Sequence, residues 1–200
     1  MLIAGAGNLG LHTLDQLLAD NYSEKIVFFD EKGKLPDLIK GKYLLISSTE
    51  DLKKHFQKKQ TEFLVALGQS RMRERLTKRI LRIGGHLSTA ISGKASFISK
   101  FSVYEAGTII QPACAISHNV NIGQSCIVHA CTMIGHDVII DDYVTIGSMV
   151  NILKGVKIGK YSTIGPNVLI YQNINIGKNA YIAPGVTVRR NVADNETLEE

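Results

Sequence analysis

Residues Thr132 to Ile164 read TMIGHD VIIDDY VTIGSM VNILKG VKIGKY STI, with an aliphatic residue at the third position of every hexad. Extended both ways, the six-residue step lands on Ile98, Tyr104, Ile110, Ile116, Ile122, Val128, Ile134, Ile140, Ile146, Ile152, Ile158, Ile164, Ile170, Ile176, Ile182 and Val188. Two residues before each stands something small or β-branched, from Ser96 and Cys114 through Val138 to Ala180 and Val186. An α-helix turns every 3.6 residues or so and cannot keep a six-step position facing inward. A short strand can, if the chain bends once per hexad: residues two apart share a face, so the aliphatic residue and its small partner enter together. Gly follows the aliphatic residue at 123, 135, 147, 159, 165 and 177, where it is expected to ease the bend. A fixed short period marks a solenoid, and six residues predict a parallel β-helix.

The tandem aliphatic-Gly hexads resemble those of the hexapeptide-repeat acyltransferases, and the resemblance implies a left-handed, three-sided coil. The left hand comes from the resemblance alone, since crossovers between parallel strands are otherwise right-handed in about 98% of cases.

The first ninety residues read differently. A short apolar strand ends in Gly5-Ala6-Gly7-Asn8-Leu9-Gly10, a G-x-G-x-x-G, and a helix is expected over 11–19 with Leu14, Leu17 and Leu18 apolar. The strand 25–30 ends at Asp30, 20 residues after Gly10. Taken by itself this is a dinucleotide fingerprint: glycines let the backbone approach a pyrophosphate at a helix N-terminus, and the acid takes a ribose hydroxyl. A loop with Pro36, an apolar run at 43–46, a helix from Glu50 to about Lys59 capped by Ser47 or Ser48, a strand over 63–67 and an Arg-rich helix follow. Alternating strands and helices predict a parallel α/β sheet. About 85 residues make one mononucleotide-binding half, which favours a single nucleotide over NAD. We divide the chain into an α/β half-Rossmann domain over 1–88, a β-helix over 89–190 and a loose acidic tail over 191–200.

The sequence has 200 residues and a net charge of +5. The excess lies in the N-terminal half, much of it in the helix 71–82. There Met72, Leu76, Ile80 and Ile83 are expected inward, with Arg71, Arg75, Lys78 and Arg82 in solvent. No aromatic residues interleave these charges, so nucleic acid is not an expected partner. No apolar run approaches the roughly 20 residues of a membrane span, and Met1-Leu2-Ile3-Ala4 lacks a basic leader. Cys114, Cys126 and Cys131 read as free thiols, the first two buried. Together these predict a cytoplasmic protein.

The whole chain resembles the bacterial sugar acyltransferases that include sialic acid O-acetyltransferases and UDP-4-amino-sugar N-acetyltransferases. The resemblance rests on the Gly5–Gly10 loop, Phe28-Phe29-Asp30-Glu31, Val65-Ala66-Leu67-Gly68 and Gly135-His136-Asp137. It implies acetyl-CoA as co-substrate, a sugar or sugar nucleotide as acceptor, no metal, and a homotrimer with acetyl-CoA between neighbouring coils. It further implies His136 as general base with Asp137 behind it. Gly5, Gly7, Asn8, Leu9, Gly10, Asp30, Glu31 and His129 would lie at the acceptor, and Thr145, Gly147, Lys154 and Gly165 at acetyl-CoA. The chain departs from the pattern at Leu9, where the loop often carries His, and at His129, where a relative carries Asn. It departs again at Thr145, which replaces a second His, and in lacking a C-terminal Gly-x-Pro-Ala segment.

Among the other histidines, His12 and His55 read as packing or solvent residues. His118 is 18 residues from His136 and should stack on the same edge of the next coil, while His129 lies on another edge. A zinc lyase of the γ-carbonic anhydrase kind shares the coil, but it uses a closely spaced His-x-x-x-x-His pair, and the spacings here are 11 and 7. A catalytically silent sugar-nucleotide scaffold is the other alternative.

Overall fold

The computed structural model describes residues 1–31, 38–57 and 61–200; the loop at Pro36 and the expected helix end at Lys59 lie outside them. The chain forms two compact units, Met1–Ala90 and Ile91–Glu200.

In the first unit, β1 (Leu2–Ala4), β2 (Val27–Phe29) and β5 (Glu62–Val65) form the buried centre of a sheet. Around them stand β3 (Leu38–Ile39), β4 (Tyr43–Ile46) and β6 (His86–Leu87), in the order β3-β4-β2-β1-β5-β6. Every pairing is parallel except β3 against β4. The parallel α/β expectation therefore holds, with an antiparallel edge strand that two residues were too few to announce. Residues 86–87, expected as part of a join, complete the other edge.

Helix α1 (Asn8–Ala19) begins earlier than expected because Gly7 is its N-cap. Leu18 is exposed, and Thr13 and Gln16 take buried positions on the inner face instead. Helix α2 (Thr49–Phe56) is capped by Ser48, whose hydroxyl accepts from the Asp51 N–H at 3.1 Å. Helix α3 (Ser70–Arg82) buries Ile80 and exposes Arg71, Arg75, Lys78 and Arg82, as the pattern predicts. It also buries Arg73 completely, which the pattern does not predict. The Arg73 guanidinium donates to the carbonyls of Leu67 (2.6 Å) and Gly68 (3.0 Å), and these bonds replace water at the buried charge.

The second unit is a parallel β-helix of two-residue strands on three faces. Strand pairs sit 18 residues apart, so each coil spends three hexads: Ala115 on Met133, Met133 on Asn151, Asn121 on Ile139, Ile127 on Thr145. One continuous core runs from Ile110 to Leu198, with Cys114 and Cys126 in small inward slots. Ile98 is only partly buried against it, and Tyr104 is 38% exposed, so the two earliest positions of the repeat leave the core incomplete.

The glycines after the aliphatic positions have a different reason from the one expected. Left-handed backbone recurs every six residues at Asn119, Ser125, Cys131, Asp137, Tyr143 and Met149, two residues beyond the glycine slot. The glycines admit the next coil: a Cβ on Gly135 would stand 2.9 Å from the Lys154 nitrogen, and on Gly147 2.5 Å from the Pro166 nitrogen.

The acidic end is not loose. Thr197 pairs with Tyr181 and Leu198 with Ile182, a spacing of 16, so the last coil is two residues short. Val192 and Leu198 enter the core, where the uninterrupted six-step would have placed Asp194 and Glu200. Among the described residues, no helix is long and apolar enough to cross a membrane.

Candidate active site

The glycine loop leaves β1 with Gly5 at φ +110° and its N–H on the Phe29 carbonyl at 2.8 Å. A Cβ on Gly5 would stand 2.7 Å from the Ala66 oxygen, and one on Gly10 would collide with the Gly5 carbonyl. Both glycines are demanded by the fold. Gly7 is not: its φ is −78° and a Cβ there would meet nothing within 4 Å. That open space lies beside the first turn of α1, which has neither a side-chain cap nor an acidic residue. The N–H groups of a first turn have no intrahelical partner, and the helix dipole favours an anion there.

Asp30 is turned toward this loop, its Oδ2 accepting from the Ala6 N–H at 2.9 Å. The carboxylate therefore organises the loop as well as standing beside it. Glu31 accepts from Arg79 Nη2 (2.7 Å) and Thr49 Oγ1 (2.8 Å). Burial alone would push its carboxyl up, but the Thr49 and Arg79 bonds outweigh this and hold it below its ordinary value. A cavity of about 540 Å³ opens here, lined by Gly5, Asp30, Glu31, Leu67, Arg75 and Arg79 among others.

On the coil, His136 follows the Met133–Ile134 strand, and the left-handed backbone of Asp137 (φ +60°) bends the two side chains together. Adjacent residues in a straight strand would point apart. His136 Nδ1 lies 2.7 Å from Asp137 Oδ2, and Asn119 Nδ2 donates to Asp137 Oδ1. The carboxyl is held below its ordinary value, first by the Asn119 bond and then by His136. A carboxylate only accepts, so Nδ1 carries the ring proton and Nε2 of the neutral ring presents a lone pair. His118 stacks on His136 as the 18-residue spacing predicts, with centroids 5.1 Å apart and planes within 1°. Beside the pair runs a groove of about 290 Å³ with Phe97, Met133, Leu153 and Lys154 in its lining.

The remaining expected residues lie elsewhere on the same unit. Lys154 shares the edge of His136, one coil on. His129, Gly147 and Gly165 follow the strands of another face, and Thr145 within that face is only 8% exposed. One chain therefore does not gather His136, His129 and all of the expected acetyl-CoA residues in a single place. Asn119 and Gln111 escaped the sequence reading, though each sits 18 residues before the residue it holds, Asp137 and His129. Arg79, the partner of Glu31, escaped it as well. Among the described residues of one chain, no three His, Cys, Asp or Glu side chains are grouped to hold a metal ion.

Residues 1–80 match the family model of the PglD N-terminal domain, and residues 155–190 match that of the bacterial transferase hexapeptide (six repeats). No curated protein matches the sequence. Among solved structures, a histidine-to-asparagine variant of perosamine N-acetyltransferase from Caulobacter crescentus, in complex with CoA and GDP-perosamine, superposes with a TM-score of 0.89. Its identity is 20%, over 98% of this chain and 91% of that one. The acetyltransferase domain of PglB from Neisseria gonorrhoeae FA1090, in complex with acetyl coenzyme A, gives a TM-score of 0.89 at 22% identity, over 98% and 93%. WeeI from Acinetobacter baumannii AYE gives 0.84 at 21%, over 98% and 94%. The chain thus carries a match to the PglD N-terminal domain ahead of a match to the bacterial transferase hexapeptide, and it shares the fold of these solved structures over nearly its whole length.

Proposed function

We propose that this protein is an acetyl-CoA-dependent acyltransferase that moves an acetyl group to an amine or hydroxyl of a nucleotide-linked sugar, in the cytoplasm, for bacterial surface-glycan synthesis. The observation that carries the reading is the His136–Asp137 pair, in which a carboxylate holds the Nδ1 proton and so leaves the lone pair of the neutral ring on Nε2. His136 removes the proton from the acceptor nitrogen or oxygen as that atom attacks the thioester carbon. Asp137 steadies the imidazolium. The imidazolium then protonates the departing CoA sulfur, which returns His136 to its neutral form. The groove beside His136 suits the acyl donor: Met133 and Leu153 offer apolar surface to its arm, and Lys154 offers a charge to its phosphates.

Acetyl-CoA turnover, followed as thiol release against a panel of UDP- and GDP-linked amino-sugars and sialic acids, tests the reading. At least one acceptor should accelerate release. No acceleration by any of them would overturn it.

The division of expected residues between two edges of one coil supports a trimer, in which an edge bearing His136 and Lys154 faces a neighbour's edge bearing His129, Gly147 and Gly165. Light scattering at micromolar concentration should give three times the chain mass. A monomer with full activity would sink the assembly.

The cavity beside the glycine loop is the proposed nucleotide site, with the first turn of α1 for phosphate and Asp30 and Glu31 toward ribose or base. Asp30→Ala removes the acceptor of the Ala6 N–H and should raise the KM of the sugar nucleotide about tenfold, the worth of roughly 1.4 kcal/mol. The KM of acetyl-CoA should hardly move. Equal rises in both would reduce Asp30 to a structural role.

A further inference from the structure

The edge that carries His136 continues past the groove beside it. Met133, Asn151, Leu169 and Thr187 pair one above the next, so the turns that follow their strands stack in register at 135–137, 153–155, 171–173 and 189–191. Gly135, His136, Leu153 and Lys154 line the groove already described. The next two turns bring Tyr171 and Arg189, each outward because it follows a buried aliphatic residue, Ile170 or Val188. The Arg189 guanidinium lies over the Tyr171 ring, its central carbon 5.4 Å from the ring centroid.

Arg189 is exposed, and among the described residues its partner is this ring and no carboxylate. Its neighbour Arg190 differs: Nη2 is paired with Glu196 at 2.7 Å and Nη1 donates to the Asn191 carbonyl. A ring attracts a guanidinium and accepts none of its in-plane N–H bonds, so Arg189 is held in place and keeps its donors for an anion. The turns 153–155, 171–173 and 189–191 together hold Lys154, Arg189 and Arg190 and no acidic residue. A positive stretch with an aromatic floor therefore begins one coil beyond His136.

Length decides what that stretch can hold. Neighbouring coils are about 4.8 Å apart, so Tyr171 stands roughly 10 Å and Arg189 about 14 Å along the edge from His136. The arm that joins the thioester sulfur of acetyl-CoA to its first phosphate is roughly 15 Å when extended, by ordinary bond lengths. A thioester held at His136, with its arm laid along Leu153, carries its phosphates to the turn of Arg189. We propose that Arg189, held over Tyr171, binds a phosphate of acetyl-CoA, with Lys154 reaching the same end of the molecule from the near side. This rests on the acyltransferase reading above.

The test titrates the full chain with CoA and with 3′-dephospho-CoA by calorimetry, which needs no turnover. Arg189→Ala should raise the Kd of CoA about tenfold, as for one lost hydrogen bond to a charged group, with Tm unchanged because the side chain is exposed. Tyr171→Leu should raise it about threefold, since the cation loses the ring beneath it, and Tyr171→Phe keeps the ring and should stay near native. An Arg189→Ala penalty that persists with 3′-dephospho-CoA assigns the diphosphate to Arg189, and one that disappears assigns the 3′-phosphate. In a rate assay with acetyl-pantetheine, which has the arm and no phosphate, Arg189→Ala should match the native protein.

An unchanged CoA Kd in Arg189→Ala would overturn the proposal and leave the acyltransferase reading standing. So would an equal loss with acetyl-pantetheine, which would make Arg189 structural. CoA binding that depends on Arg189, without turnover of any acceptor, would uphold the phosphate site and defeat the acyltransferase reading. A native protein that binds no CoA would defeat both.

Discussion

His136→Ala should lower kcat by about 10²–10⁴-fold, the usual worth of general-base assistance, with Tm nearly unchanged. The small effect on stability follows from position. His136 stands at a bend with its side chain 41% exposed, two residues past the buried Ile134, so its removal opens no core cavity. The large effect on rate follows from the tautomer. Asp137 holds the Nδ1 proton, which leaves Nε2 as the atom that can take one from the acceptor. Asp137 itself is kept below its ordinary carboxyl value by Asn119 and His136, so it stays ionised across the working range and stops contributing only as pH falls through its own lowered pKa. His118→Ala removes only a stacked ring and should be much milder. If His118→Ala or His129→Ala proves the more damaging change, the base stands on another part of the coil.

The coil was legible because its core obeys one rule with one step. Thirteen Ile at a six-residue period leave no other way to bury them, and stacking in threes follows from the strand pairs 18 apart. The rule also explains where the reading stopped. The final coil drops two residues, so counting by six lands on Asp194 and Glu200 and misses Val192 and Leu198. Glycines after the aliphatic positions predict bends, because Gly tolerates strained backbone. The strained position falls instead on side-chain residues such as Asp137, and the glycines answer to crowding between coils that no single hexad reveals. His136 and Asp137 were legible as neighbours, but their convergence needed that backbone. Asn119 and Gln111 needed a period of 18, which a reading by six passes over. In the N-terminal unit the amphipathic pattern of α3 points to Ile80, which is buried, and to Leu76 and Ile83, which are partly buried, but it overstates Met72 and conceals Arg73, because a buried cation satisfied by carbonyls leaves no mark in hydropathy.

Gly10→Ala should be the most damaging single methyl in the N-terminal unit. The added carbon would collide with the Gly5 carbonyl and stand 3.4 Å from the Phe28 ring. Gly5 has little room to retreat, since its N–H is tied to the Phe29 carbonyl at 2.8 Å and the Ala66 oxygen stands where its own Cβ would be. Helix α1 must then move off β1, which is overpacking of a kind that costs about 1–3 kcal/mol. For a unit of this size that corresponds to a fall in Tm of several degrees, on the order of 4–8 °C per kcal/mol. The same movement withdraws the first-turn N–H groups from the nucleotide. The sugar-nucleotide KM should therefore rise by more than about tenfold, since more than one hydrogen bond is displaced, while the acetyl-CoA KM stays put. Gly7→Ala separates the two effects. Its methyl enters open space at an ordinary φ, so Tm should hold and only the sugar-nucleotide KM should rise, as the ligand meets the new carbon. Calorimetry beside initial-rate kinetics on the two variants checks both halves. A Gly10→Ala protein with native Tm and native KM would mean that the loop packs differently from the arrangement described, and an inert Gly7→Ala would move the nucleotide away from the helix start.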